Sequence, residues 1–105
     1  MLKISEDLAK SFNDVLFSDL TLKIENKGIY VHKFILNVYN ETISNLILNN
    51  KFNNVLIKFK YDIVYSVLKY LYTGILIINN ELLPGIIKLS TILNLTNLRK
   101  EFIGK

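Results

Sequence analysis

SDLTLKIENKGIYVHKFIL, residues 18–36, is the stretch whose reading decides the fold. Leu20, Leu22 and Ile24 alternate with Thr21, Lys23 and Glu25, the period of a half-buried strand. Glu25 to Gly28 supply a turn, with Asn26 and Gly28 tolerant of positive φ. Ile29, Tyr30 and Val31 resume an extended run, so the pair reads as a β-hairpin. From Lys33 the spacing turns helical, and Phe34, Leu36, Val38 and Tyr39 lead into NETISNLILNN. There Asn40 is placed to cap a second short helix that buries Ile43, Leu46 and Ile47.

Working outward, residues 5–17, SEDLAKSFNDVLF, read as an amphipathic helix with Ser5 as N-cap. Its apolar face is Leu8, Phe12, Val15 and Leu16. Downstream, Asn49, Asn50, Asn53 and Asn54 form a polar break around Lys51 and Phe52. Residues 55–61, VLIKFKY, alternate as a further strand that puts Lys58 and Lys60 on one face. Asp62 is expected to cap a strong helix lined by Ile63, Val64, Val67, Leu68, Leu71 and Tyr72, with Gly74 as its stop. A short link, Ile75 to Ile78, leads to a helix carrying Leu83, Ile86, Ile87, Ser90 and Leu93. Asn80 is its expected cap, Pro84 sits in its first turn and Asn94 ends it. Thr96 caps a last helix that turns Leu98 and Phe102 inward. The expected class is α+β, a helical cluster carrying a small sheet.

The chain has 105 residues, enough for one domain with a real core. There is no Cys, which removes disulfides and thiolate metal sites. Half of the residues are hydrophobic and the mean hydropathy is +0.29, rich for a domain of this size. No charge-free apolar run approaches the roughly 20 residues that span a bilayer. Glu6 and Asp7 interrupt the N-terminus where a signal peptide is apolar. Oligomerisation is therefore the expected cover for the surplus apolar surface, in an intracellular setting, cytoplasmic or nuclear. The net charge of +4 leaves a small basic nucleic-acid-binding protein as an alternative of another class, though the lysines are scattered along the chain.

Three blocks, in order, resemble the BTB/POZ family, from about Leu8 to Phe102. SDLTLKI followed by VHKFIL is similar to the family's S-D-V-x-L/I strand and A/V-H-K/R-x-x-L, matched by Asp19, Leu20, His32, Lys33 and Leu36. VYSVLKYLYTGIL resembles F-x-x-L/V-L-x-Y/F-L/I-Y-T-G, through Leu68, Tyr70, Leu71, Tyr72, Thr73 and Gly74, with Val64 in place of Phe. IIKLSTILNLTNL resembles the family's third block, with Ser90 where a small Ala is usual. Asn40 and Ile43 stand where the family has Ser and Phe. The resemblance implies a helical cluster capped by a mostly three-stranded sheet over residues 19–103, with an N-terminal dimerisation helix, in a single domain spanning residues 1–105.

It also implies a protein–protein interaction module that homodimerises and scaffolds, without catalytic activity. The expected dimer interface is Leu8, Phe12, Val15 and Leu16, so that Phe12→Asp would split or unfold the dimer. Asp19 and Lys33 are expected as a charged pair in a pocket near that interface. Phe52, Tyr65 and Tyr70 are candidate partner contacts, and Tyr30, Tyr39 and Tyr72 are expected to pack in the core or an interface. A cullin-type ubiquitin ligase is the alternative partner, but the apolar-x-Glu element of such adaptors has no counterpart, since Leu46 to Phe59 holds no acidic residue. His32, the only histidine, lacks metal co-ligands and a nucleophile and is expected to make a structural hydrogen bond. No phosphate loop, triad or metal spacing is present, so no cofactor, metal or small-molecule substrate is expected.

Overall fold

Strands β1 (Leu20–Ile24) and β2 (Lys27–Val31) form an antiparallel hairpin with Leu20 opposite Val31 and Ile24 opposite Lys27. The computed structural model describes residues 9–76, 79–96 and 98. Leu22, Ile24, Ile29 and Val31 are fully buried while Thr21 and Lys23 face out, as the period-2 pattern requires. The turn is tighter than the sequence suggests. Glu25 (φ 53°) and Asn26 (φ 66°) carry the positive φ that a type I′ turn needs at both central positions. Gly28 is not part of the turn but pairs with Lys23 inside the ladder.

Five helices follow: α1 (Lys33–Asn37), α2 (Glu41–Leu48), α3 (Phe52–Leu56), α4 (Tyr61–Thr73) and α5 (Leu83–Ile92). Helix α4 buries the six residues expected of it. It stops at Gly74, whose φ of 75° and N–H to the Tyr70 carbonyl make the left-handed cap. Helix α5 packs on α4, and an added Cβ at Gly85 would collide with Ile63 Cδ1. Gly85 thus serves close helix contact rather than chain reversal. Leu89 and Ser90 are buried in α5, and Ile87 is turned outward. The Ser90 hydroxyl donates to the Ile87 carbonyl, which lets a polar side chain occupy a small core position. Leu98, as expected, is buried, and Phe102 lies outside the described residues.

Asparagine ends two of the helices. Asn50 and Asn94 both adopt φ 57°. After α2, Asn50 N–H bonds the Ile47 carbonyl and Lys51 N–H the Leu46 carbonyl. After α5, Asn94 N–H bonds Thr91 and Leu95 N–H bonds Ser90. Each is a full Schellman motif, with Asn where Gly is commonest. Asn40 caps α2 as expected, its Oδ1 accepting from Ile43 N–H at 2.8 Å. Its Nδ2 also donates to the Leu93 and Asn94 carbonyls, tying the start of α2 to the end of α5.

Several expectations are corrected. Residues 55–61 form no strand: Val55 and Leu56 finish α3, and a turn follows. The buried side chains there are Phe52, Leu56 and Phe59, spaced by four and three, whereas Ile57 is 53% exposed. That is helical period, and the alternation of Val55, Ile57 and Phe59 was misleading. Lys58 and Lys60 therefore share no strand face. The sheet has two strands among the described residues, not three. The outer edge of β1 is met instead by Asn53 Oδ1 of α3, which accepts from Lys23 N–H at 2.8 Å. Asp62 does not cap α4. Glu25, from the hairpin turn, does so, its Oε1 accepting from Tyr61 N–H at 2.6 Å. Asn80 does not cap α5 either, and it is Asn79 that turns the chain there through Glu81 N–H.

The expected helix over 5–17 also ends early. Residues 9–11 are helical, and the chain turns at Phe12 and Asn13 (φ 57°). Asn13 then exchanges two hydrogen bonds with Tyr30, covering the outer edge of β2. The start of that helix, including Leu8, lies outside the described residues.

Candidate interaction surface

The open end of the hairpin organises a cluster of side chains. β2 runs through His32 into α1, which His32 does not cap. Asp19 does: its Oδ1 accepts from Lys33 N–H at 2.8 Å. Asp19 and Lys33 do meet, but through the main chain of Lys33, and Asp19 is exposed. Asp19 thus supplies a helix cap from 14 residues upstream.

His32 holds the next layer. Tyr72 Oη accepts from His32 N–H at 2.8 Å and lies 2.8 Å from His32 Nδ1. His32 Nε2 is 3.2 Å from the Leu16 carbonyl. A carbonyl only accepts, so Nε2 carries the proton, Nδ1 accepts, and the Tyr72 hydroxyl donates to it. One tautomer satisfies all three contacts, a structural role as expected for this histidine. Burial, with smaller contributions from Asp19 and Tyr39, outweighs the His32 N–H bond and pushes the Tyr72 phenol up to about 12.

That shift has a measurable sign. The folded-state value lies above the ordinary 10.0, so folding favours the neutral phenol. Its contribution is complete below pH 10 and is lost as pH rises toward 12. Tyr72→Phe is expected to cost about 1–3 kcal/mol at neutral pH, because it leaves two groups of His32 unpaired. The gap between wild type and variant should shrink above pH 10, in denaturant titrations run at each pH. A gap that stays constant to pH 12 would contradict the assignment.

The bond from His32 to Leu16 sets residues 15–17 beside α1. Asp14 Oδ1 accepts from Leu16 N–H, and Ser18 N–H bonds the Val15 carbonyl, making a tight turn. Val15 and Leu16 are both exposed, and Phe17 is 86% exposed. Phe17 also adopts φ 61°, a costly conformation for an aromatic residue. Helix α1 buries Leu36 inward and presents Phe34, 78% exposed, and Val38 outward. A hollow of about 300 Å³ lies alongside, lined by Phe34, Val38, Tyr39 and residues 71–74. The Tyr39 hydroxyl donates to the Leu71 carbonyl at its edge, and burial raises its phenol.

The expected site residues divide. Val15 and Leu16 are exposed, on a turn rather than a helix. Phe12 is turned inward, its ring 5.1 Å from Tyr65 and 5.2 Å from Tyr72. Phe52 is only 2% exposed and belongs to the core, anchored by the first turn of α3. Tyr65 and Tyr70 are half-buried against the core, whereas Tyr39 is the more exposed ring. Phe17, Phe34 and Val38 were missed. The available signal was α1 itself, apolar on both sides and therefore in need of two covers.

Among the described residues no group of three or more His, Cys, Asp or Glu could hold a metal ion. None of the described helices is long and apolar enough to cross a membrane. A small α+β unit with an apolar outcrop at one end has the form of a protein–protein interaction module. Residues 8–103 match the BTB/POZ domain, and the chain belongs to that family of interaction domains, which is not a family of enzymes.

Proposed function

We propose that the chain homodimerises through the surface built on Val15, Leu16, Phe17, Phe34 and Val38, and that the dimer serves as a scaffold. The observation that carries this is two adjacent apolar segments, tied together by His32, that no other part of the described chain covers. An aromatic residue held at positive φ and almost fully exposed is costly in an isolated protomer. Burial against a two-fold mate offsets that cost, since a self-complementary interface covers the same patch twice. The second reading, an adaptor for a cullin-type ubiquitin ligase, is weaker, because residues 46–59 carry no carboxylate. Sedimentation equilibrium at tens of micromolar should give the mass of a dimer. A monomer at that concentration would refute self-association as the primary role.

A further inference from the structure

We propose that the closed end of the hairpin and the α3–α4 turn form a docking face for an acidic protein segment that carries an apolar side chain. The lysines concerned are Lys23, Lys27, Lys51, Lys58 and Lys60, all exposed. They are scattered in sequence but gathered by the fold. Lys23 is fixed beside α3 through Asn53, and Lys27 Nζ lies 4.8 Å from the Tyr61 ring centre, next to Lys60. Lys51 and Lys58 bracket α3, whose five residues rise only about 7.5 Å.

Two carboxylates lie near this face, fewer than its lysines. Glu25 is bonded to Tyr61 N–H at the start of α4. Asp62 lines a different groove with Tyr65, Ser66 and Lys69. Five lysines against two carboxylates, Glu25 and Asp62, leave the face net positive and favour an anionic partner. Ile57, 53% exposed, directly precedes Lys58 and offers an apolar contact beside it.

These details favour a protein segment over nucleic acid. Residues 23–60 contain no Arg, the side chain best suited to bidentate phosphate contacts. No aromatic ring is free for base stacking there: Phe52 and Phe59 are buried and the Tyr61 face is covered by Lys27. Phosphates would also leave Ile57 uncovered. An acidic segment with one Leu-like residue satisfies both the lysines and Ile57.

The test uses the full chain and a fluorescent peptide of glutamates interrupted by one leucine, with duplex DNA as the competing probe. The double variant Lys58→Glu/Lys60→Glu should weaken peptide binding by about tenfold or more. Lys10→Glu/Lys88→Glu makes the same change in net charge at two exposed positions elsewhere and should alter it by less than about twofold. Ile57→Ser should weaken binding several-fold without changing its salt dependence. All these positions are exposed, and circular dichroism confirms that each variant folds. Absence of peptide binding, or equal losses in the two charge variants, would overturn the proposal. So would tighter binding to DNA that is indifferent to Ile57→Ser, which would assign the face to nucleic acid.

Discussion

Phe12→Asp is expected to remove a large share of the stability of this chain, whereas Phe17→Asp combined with Phe34→Asp leaves a folded monomer. Phe12 packs edge-on to Tyr65 and tilted against Tyr72, so its ring joins the N-terminal segment to α4. A carboxylate there loses that aromatic contact and is partly desolvated, at a cost of about 3–5 kcal/mol. Domains of this size hold only about 5–15 kcal/mol in all. Phe17 and Phe34, by contrast, contact little of the rest of the chain. Each would be buried twice in a two-fold dimer, and each large apolar side chain contributes about 1.5–3 kcal/mol when covered. The double variant should therefore weaken self-association by at least about a thousandfold. Thermal unfolding by circular dichroism and light scattering, run on both variants, separate the two effects. A dimeric, folded Phe17→Asp/Phe34→Asp chain would place the interface elsewhere.

Asn40→Ala is expected to destabilise the chain by about 2 kcal/mol, and Asn40→Ser to restore only part of that. The Asn40 side chain does two things. Its oxygen caps α2, and its nitrogen bonds two carbonyls at the end of α5, more than 50 residues away. Loss of the cap costs about 1 kcal/mol. Loss of the nitrogen leaves the Leu93 and Asn94 carbonyls without that donor, which adds a comparable amount. Serine keeps an oxygen for Ile43 N–H but has no pair of donors to offer. The midpoint of urea unfolding, at unchanged slope, measures each step. If serine matched asparagine, the link to α5 would contribute nothing.

Short-range signals in the sequence were reliable where one period ruled a whole element. The hairpin alternation, the six buried positions of α4 and the Asn40 cap could all be read directly. The failures share a physical cause. Residues 55–61 are apolar at too many positions, so helix and strand periods both fit, and only the burial of Phe52 decides between them. Glu25 caps a helix that starts 36 residues later, and Asp19 caps one 14 residues later. Such contacts have no local signature, and the nearer Asp62 was the natural but mistaken choice. The asparagines were harder still. Asn13, Asn26, Asn50 and Asn94 all occupy positive φ; the sequence shows this for Asn26 in the turn and marks Asn94 as a helix end, but Asn13 reads as helix and Asn50 as a polar break. For the site, Val15 and Leu16 were legible as surplus apolar residues. Phe34 and Val38 were hidden in a helix whose other side is core.

The five-residue strands of the hairpin hold its two ends about 14 Å apart. The apolar turn at residues 15–17 lies at the open end and the lysines at the closed end, so occupancy of one leaves the other free. Pairing of two chains at their open ends then presents two basic faces on one rigid body. A partner with two acidic segments would engage the second at high effective concentration, gaining about 10²–10⁴ in avidity provided its linker spans the separation. Capture of such a partner would rise steeply with the concentration of the chain itself, and a monomeric variant would lose it while keeping each individual contact.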